Sequence, residues 1–332
     1  MNAPENAHGL DADPTHRNRR PLVSLIFPAF DERESVDGML DFYREIRAEY
    51  AKFDFEMIVV DDGSTDQTAE ALYAGAADGD QVRIISLSRN WGSHAAITAG
   101  IENCAGDAAI TLSADLQEPL SAIGDFLDEW EAGHDVVWGL RSVRAAKKGA
   151  NDLLATTFSK VLNTNSVIPT YPKEGPSQIL VSRQVMEVIR SMPEANRNVL
   201  GMIAWTGFSQ GRIYFEQKPR PYGGSKWTRK KKIKLVLDSF VEFSTAPLEW
   251  LGTLGFAMGI LGGVLILSAL VTAFTPASGV AGYCVIAGLV LLTGGLNLFG
   301  LRVLGEYVWR GGDDARRRPT YIVREIRDSS DK

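Results

Sequence analysis

The sequence predicts an α/β domain on a mostly parallel sheet, followed by an interfacial helix and a two-helix transmembrane hairpin. Three observations predict it. Short apolar or β-branched runs alternate with stretches of helical period over residues 22–220, polar clusters follow those runs, and two long uncharged stretches lie near the chain's end. The strand runs are 22–27, 55–61, 82–87, 108–113 and 135–138, and helical period is clearest over 34–49 and 66–77.

Ligands of such sheets sit beyond the carboxyl ends of the strands, so the residues just after each run come first. Pro28-Ala29-Phe30-Asp31-Glu32 follows the first run and Asp61-Asp62-Gly63-Ser64-Thr65-Asp66 the second. Ser88-Arg89-Asn90-Trp91-Gly92-Ser93-His94 follows the third, and Ser113-Ala114-Asp115-Leu116-Gln117-Glu118-Pro119 the fourth. Carboxylates gathered at one rim suit a base or ribose, or a hard divalent cation that takes oxygen ligands and bridges phosphates. One such loop taken alone reads equally as an Asp-Gly turn with a Ser or Thr helix cap. No Gly-x-Gly-x-x-Gly or phosphate-binding P-loop sequence competes.

The 332 residues are 45% hydrophobic with a formal net charge of −6, which excludes disorder throughout. The charge is unevenly placed: residues 1–220 carry −11 and residues 221–332 carry +5. Cys104 and Cys284 give neither a disulfide framework nor metal-ligand spacing, so a reduced, cytoplasm-facing protein is expected.

Residues 250–274 and 279–301 contain no Asp, Glu or Lys and no Arg, and a helix of about 20 apolar residues spans a hydrocarbon core of roughly 30 Å. Lys226, Arg229, Lys230, Lys231, Lys232 and Lys234 precede the first span, and Arg302, Arg310, Arg316, Arg317 and Arg318 follow the second. Positive flanks face the cytoplasm, so both termini and the front domain are expected at the cytoplasmic face of the inner membrane. The division expected is a disordered arm over 1–20, the α/β domain over 21–222, and an amphipathic juxtamembrane segment over 223–247. The spans lie within 248–304 and a cytoplasmic tail over 305–332. The juxtamembrane segment, with lysines among Ile233, Leu237, Phe240 and Phe243, suits a helix at the surface of the lipid bilayer, though an ordinary surface helix fits the same pattern. No nucleic-acid partner is expected.

Taken together, these loops resemble the family-two glycosyltransferases of GT-A fold, specifically the membrane-anchored polyprenyl-phosphate type. The likeness also rests on Gly139-Leu140-Arg141, Gly224-Ser225-Lys226-Trp227, Phe243-Ser244-Thr245-Ala246-Pro247 and Leu304-Gly305-Glu306-Tyr307. The resemblance implies inverting transfer of a sugar from a nucleotide-sugar donor to polyprenyl phosphate. It places the donor on Pro28, Phe30, Glu32, Asp61, Asp62, Arg89, Asn90 and Ala114, and Mg²⁺ or Mn²⁺ on Asp115 and Gln117. Asp115 and Arg141 are the implied catalytic residues, and Arg141, Ser159, Lys160 and Lys226 the implied acceptor-phosphate contacts. Each of these cations also reads as a solvated surface charge, and Trp91 and His94 read either as lining of the donor pocket or as packing and capping residues. The resemblance admits a homo-oligomer.

Two departures stand out. Ser113 occupies a position where the family commonly has an aspartate, and the stretch from Gly175 to Arg183 lacks the acidic and arginine pair expected ahead of a helix. A catalytically impaired relative that binds nucleotide-sugar or lipid phosphate as an assembly partner is therefore the second reading. A processive polysaccharide synthase would need more spans and a Gln-x-x-Arg-Trp sequence, which this chain lacks.

Overall fold

A computed structural model describes residues 19–142, 198–218 and 318–331, most of 171–194 and isolated positions from 286 to 316. Strands β1 (Leu22–Ala29), β2 (Asp54–Asp61), β3 (Val82–Leu87) and β4 (Ala108–Thr111) are followed by β5 (Val136–Arg141), β6 (Gln178–Ser182), β7 (Gln210–Phe215) and β8 (Val323–Asp328). They form one sheet in the order β7-β5-β6-β4-β1-β2-β3-β8. The helices are α1 (Val36–Glu49), α2 (Thr68–Gly75), α3 (Ser93–Asn103), α4 (Leu120–Glu131), α5 (Arg183–Ser191) and α6 (Val199–Trp205).

The central strands are apolar at nearly every position because helices cover both faces of the sheet. Period two then sorts neighbours to opposite sides. Leu25 and Phe27 of β1 pack in one cluster with Met39 and Tyr43 of α1, Leu72 of α2 and Phe126 of α4. Ile26, between them, joins Ala96 and Ala99 of α3, Met186 of α5 and Ile203 of α6 in the other. Gly100 of α3 lies so close to Ile26 that a methyl there would collide with it, which sets the approach of α3 to β1.

Strands β1 to β4 run parallel, whereas β6 is antiparallel to both β4 and β5. Two reversals restore the original sense, so β5 points the same way as β4. The carboxyl ends of β1 to β5 therefore share one rim, on which the expected site residues depend.

Among the described residues, no helix is long and apolar enough to cross a membrane. The hairpin expected over 250–274 and 279–301 lies outside the described residues apart from scattered helical positions such as Ile286, Val290 and Leu301, whose side chains are exposed. Segment 223–247 and residues 1–18 also lie outside. Arg19, at the end of the expected arm, holds Asp107 at 3.0 and 3.1 Å. Within the expected tail, residues 323–328 are the antiparallel edge strand β8 on β3, an element the sequence reading did not place.

Candidate functional site

The loops after β1 and β2 are laced together by side chains reaching backbone. Asp31, at φ 52°, donates its amide to Ser64 Oγ at 2.8 Å, while its carboxylate accepts from the Thr65 amide at 2.8 Å. The Glu32 amide donates to Thr68 Oγ1 at 3.0 Å, and the Arg33 amide to Asp66 Oδ2 at 3.0 Å. Pro28, near the end of β1 opposite Val60, and Phe30 and Glu32 just beyond it are half-buried along this seam. Asp61 is 1% exposed, and its Oδ1 accepts the Ser64 amide at 2.9 Å, closing a tight turn.

Asp62 ties the second loop to the third. Its two carboxylate oxygens accept the amides of Trp91 at 2.7 Å and Gly92 at 2.9 Å. Burial pushes its carboxyl above the usual carboxylate range, and those two amides pull partly back. Gly63 makes the junction possible: at φ +75° it lies against the backbone of Arg89, where a Cβ would come within 2.5 Å of the Arg89 carbonyl carbon. The Arg89 guanidinium stacks 3.7 Å above the Trp91 ring, and both Arg89 and Asn90 are exposed toward the rim. Trp91 Nε1 donates to Ser88 Oγ at 3.2 Å. His94, in the first turn of α3, is held neutral by burial, which lowers its pKa to about 4.

The loop after β4 is wired differently. Ala114 is buried, Asp115 and Gln117 are half-buried, and Leu116 adopts φ 55°. Glu118 is 1% exposed and turns back beneath the loop. Its Oε1 accepts from Ser113 Oγ at 2.9 Å, its Oε2 accepts the Ser113 amide at 3.3 Å, and Gln178 Nε2 of β6 bonds both Ser113 Oγ, at 2.7 Å, and Glu118. Burial pushes the Glu118 carboxyl up to about 7, with the charge of nearby Asp115 acting in the same direction. Gln117 Nε2 donates to the Lys218 carbonyl at 3.4 Å, and the Lys218 amide to the Gln117 carbonyl at 2.8 Å.

Arg141 closes β5 on the same rim, exposed, where β5 pairs with Phe215 of β7. The rim thus brings together Pro28, Phe30, Glu32, Asp61, Asp62, Arg89, Asn90, Ala114, Asp115, Gln117 and Arg141. Ser159, Lys160 and Lys226 lie outside the described residues. Among the described residues no group of three or more His, Cys, Asp or Glu is arranged to hold a metal ion. One carboxylate with one amide oxygen, Asp115 with Gln117, still fits a hard cation that fills its remaining positions with diphosphate oxygens and water.

A rim of this kind on a mostly parallel sheet agrees with the chain's relatives. Residues 24–189 match the model of "Glycosyl transferase family 2". The chain belongs to that family. It is 30% identical over 311 residues to a prophage bactoprenol glucosyl transferase homolog of Escherichia coli, covering 92% of this chain and 99% of that one. It is 31% identical over 305 residues to a bactoprenol glucosyl transferase of Shigella phage SfV, covering 91% and 98%. An uncharacterized glycosyltransferase of Synechocystis is 31% identical over 304 residues, with 92% and 95% covered. The transferase therefore carries a GT-A α/β domain.

Sequence reasoning missed three parts of the rim. Glu118 was read as one residue of a polar loop, with nothing in the sequence to show that it turns inward. Gln178 fell in a stretch given no role, and the β8 contacts came from a charged tail. The lacing residues Asp31, Ser64 and Thr65 were legible as turn formers, though not as partners of one another, and Thr68 fell in the expected helical stretch 66–77.

Proposed function

We propose that this transferase moves a sugar, with inversion, from a nucleotide-sugar onto polyprenyl phosphate at the cytoplasmic face of the inner membrane. The observation that carries the reading is the convergence of Asp61, Asp62, Arg89, Asp115 and Arg141 on one rim of a GT-A sheet. The names of the bactoprenol glucosyl transferase relatives support a polyprenyl acceptor. The basic-flanked uncharged stretches 250–274 and 279–301 support a membrane seat, since a polyprenol tail stays in the bilayer.

The chemistry follows from charge. A phosphate monoester has a second pKa near 6, so at pH 7 it is mostly a dianion and attacks without a strong base. The rim's task is to position two anions that repel each other, with Arg141 offering a planar guanidinium to the acceptor and Arg89 one to the donor. Asp61 and Asp62 fix the shape of the pocket that receives the nucleoside. Asp115 and Gln117 would hold Mg²⁺ or Mn²⁺, which neutralises the charge that builds on the leaving diphosphate.

The second reading, an impaired binding relative, draws on Ser113, whose hydroxyl is engaged with Glu118 and Gln178. Transfer of labelled sugar from UDP-glucose or GDP-mannose to undecaprenyl phosphate, with Mg²⁺ or Mn²⁺, decides between them. The transferase reading expects product from the native chain and almost none from Asp115→Ala. Nucleotide binding with no product from either chain, whichever donor is supplied, overturns it in favour of the binding relative.

A further inference from the structure

The turn Arg89-Asn90-Trp91-Gly92 hangs between the end of β3 and the start of α3, and residues 320–331 grip both. On the strand side, the Ser88 amide donates to the Ile322 carbonyl at 2.9 Å, one residue before Arg89. The same Ser88 supplies the hydroxyl that receives Trp91 Nε1. On the helix side, the Tyr321 hydroxyl donates to Glu102 Oε2 at 2.5 Å and accepts from Asn103 Nδ2 at 3.4 Å, at the last turn of α3. Tyr321 and Val323 also pack against the apolar cluster that receives Trp91 and Ile97.

Protecting the edge of β3 requires only the backbone ladder of β8. The Tyr321 hydroxyl goes further, reaching across to a different element. We propose that Tyr321 and Ile322 are positioning residues of the donor site, clasping β3 to α3 so that the Arg89–Gly92 turn stays seated on Asp62. The inference rests on the donor-site reading above and adds a requirement for Tyr321, 219 positions away in sequence from the α3 residue it binds. The Trp91 and Gly92 amides can meet the Asp62 carboxylate only while strand and helix keep their spacing, and the clasp fixes that spacing from outside the pocket.

The other end of β8 provides an internal control. Arg83 Nε and Nη2 hold Asp328 at 2.7 and 3.3 Å, and the Val82 amide donates to Ser329 Oγ at 3.1 Å. The Ser329 contact secures β8 at the start of β3, away from the turn, whereas Arg83 Nη1 also reaches the Asn103 carbonyl of α3 at 3.0 Å.

The test uses the full chain in detergent, with UDP or GDP plus Mn²⁺ as probe and amide hydrogen exchange over residues 89–92. Tyr321→Phe keeps the ring and removes only the hydroxyl. It is expected to speed exchange in the turn and weaken nucleotide binding by about three- to tenfold, the factor carried by one ordinary hydrogen bond. Ser329→Ala, which removes only the hydroxyl bonded to the Val82 amide and the Asp80 carbonyl, is expected to lower the unfolding midpoint while leaving nucleotide affinity at the native value, which a merely structural role for β8 would not separate. Native affinity in Tyr321→Phe, or equal losses in both variants, overturns the clasp. A native chain that binds neither nucleotide overturns the donor-site reading itself, and the clasp with it.

Discussion

Two groups of carboxyls share the rim and are held in opposite ways. Asp61 and Asp62, after β2, accept backbone amides: Asp61 closes its own turn on Ser64, and Asp62 is a strut to Trp91 and Gly92 of the next loop. Glu118, after β4, meets the side chains of Ser113 and Gln178, and its neighbour Asp115 sits half-buried at the rim. A carboxylate given to the amides of another loop fixes where that loop runs, while Glu118, buried beneath its own loop, braces the turn that carries Asp115. The β2 side of the rim therefore ties the loops together, and the proposed function assigns the chemistry to the β4 side.

That contrast breaks most visibly at Asp115. Asp115→Ala should lower labelled-sugar transfer by roughly 10²–10³-fold, the usual cost of removing one group that stabilises developing charge, with the thermal midpoint unchanged. Asp62→Ala should do the reverse in emphasis. Two amides lose a charged acceptor, so urea denaturation should show a loss of about 3 kcal/mol before any effect on the chemical step is considered.

Acid titration sharpens the comparison further. Glu118 has a folded pKa raised to about 7 from 4.5, so the fold favours its protonated form: its stabilisation is complete below pH 4.5 and declines as pH rises to 7. His94 has a folded pKa lowered to about 4 from 6.5, so its stabilisation is complete above pH 6.5 and is lost as pH falls toward 4. Each term is worth on the order of 3 kcal/mol, and between pH 4.5 and 6.5 they oppose. In Glu118→Gln, stability measured by urea melts should climb with pH across that window; in His94→Gln it should fall. The smallest effect belongs to the far end of the sheet, where Arg83→Gln should cost about 0.5–1 kcal/mol, as expected for a pair that is one-third exposed.

The first five strands were legible because a strand buried on both faces must be apolar along its length, and 22–27, 55–61 and 108–113 are. The structure extends β1 to Ala29 and β5 to Arg141 and ends β4 at Thr111, shifts of two or three residues where polar rim residues blur the pattern. Strand β8 was not legible. Its sequence Val323-Arg324-Glu325-Ile326-Arg327-Asp328 has apolar residues only at 323 and 326, three apart, so it shows no strand period, and its charges resemble those of a solvated tail. Of the site, the rim residues could be named from spacing after strands. Which of them pair depends on loop closure across the sheet, which no local pattern encodes.

The late arrival of β8 also has a consequence for the newborn chain. At about 5–20 residues per second, the 245 positions between Arg83 and Asp328 mean that the margin of β3 waits on the order of ten to fifty seconds for its last neighbour. All that time the ribosome is threading out the greasy stretches that lie between. An interrupted message that stopped short of residue 320 would therefore release a molecule with most of its sheet assembled and one raw, adhesive border.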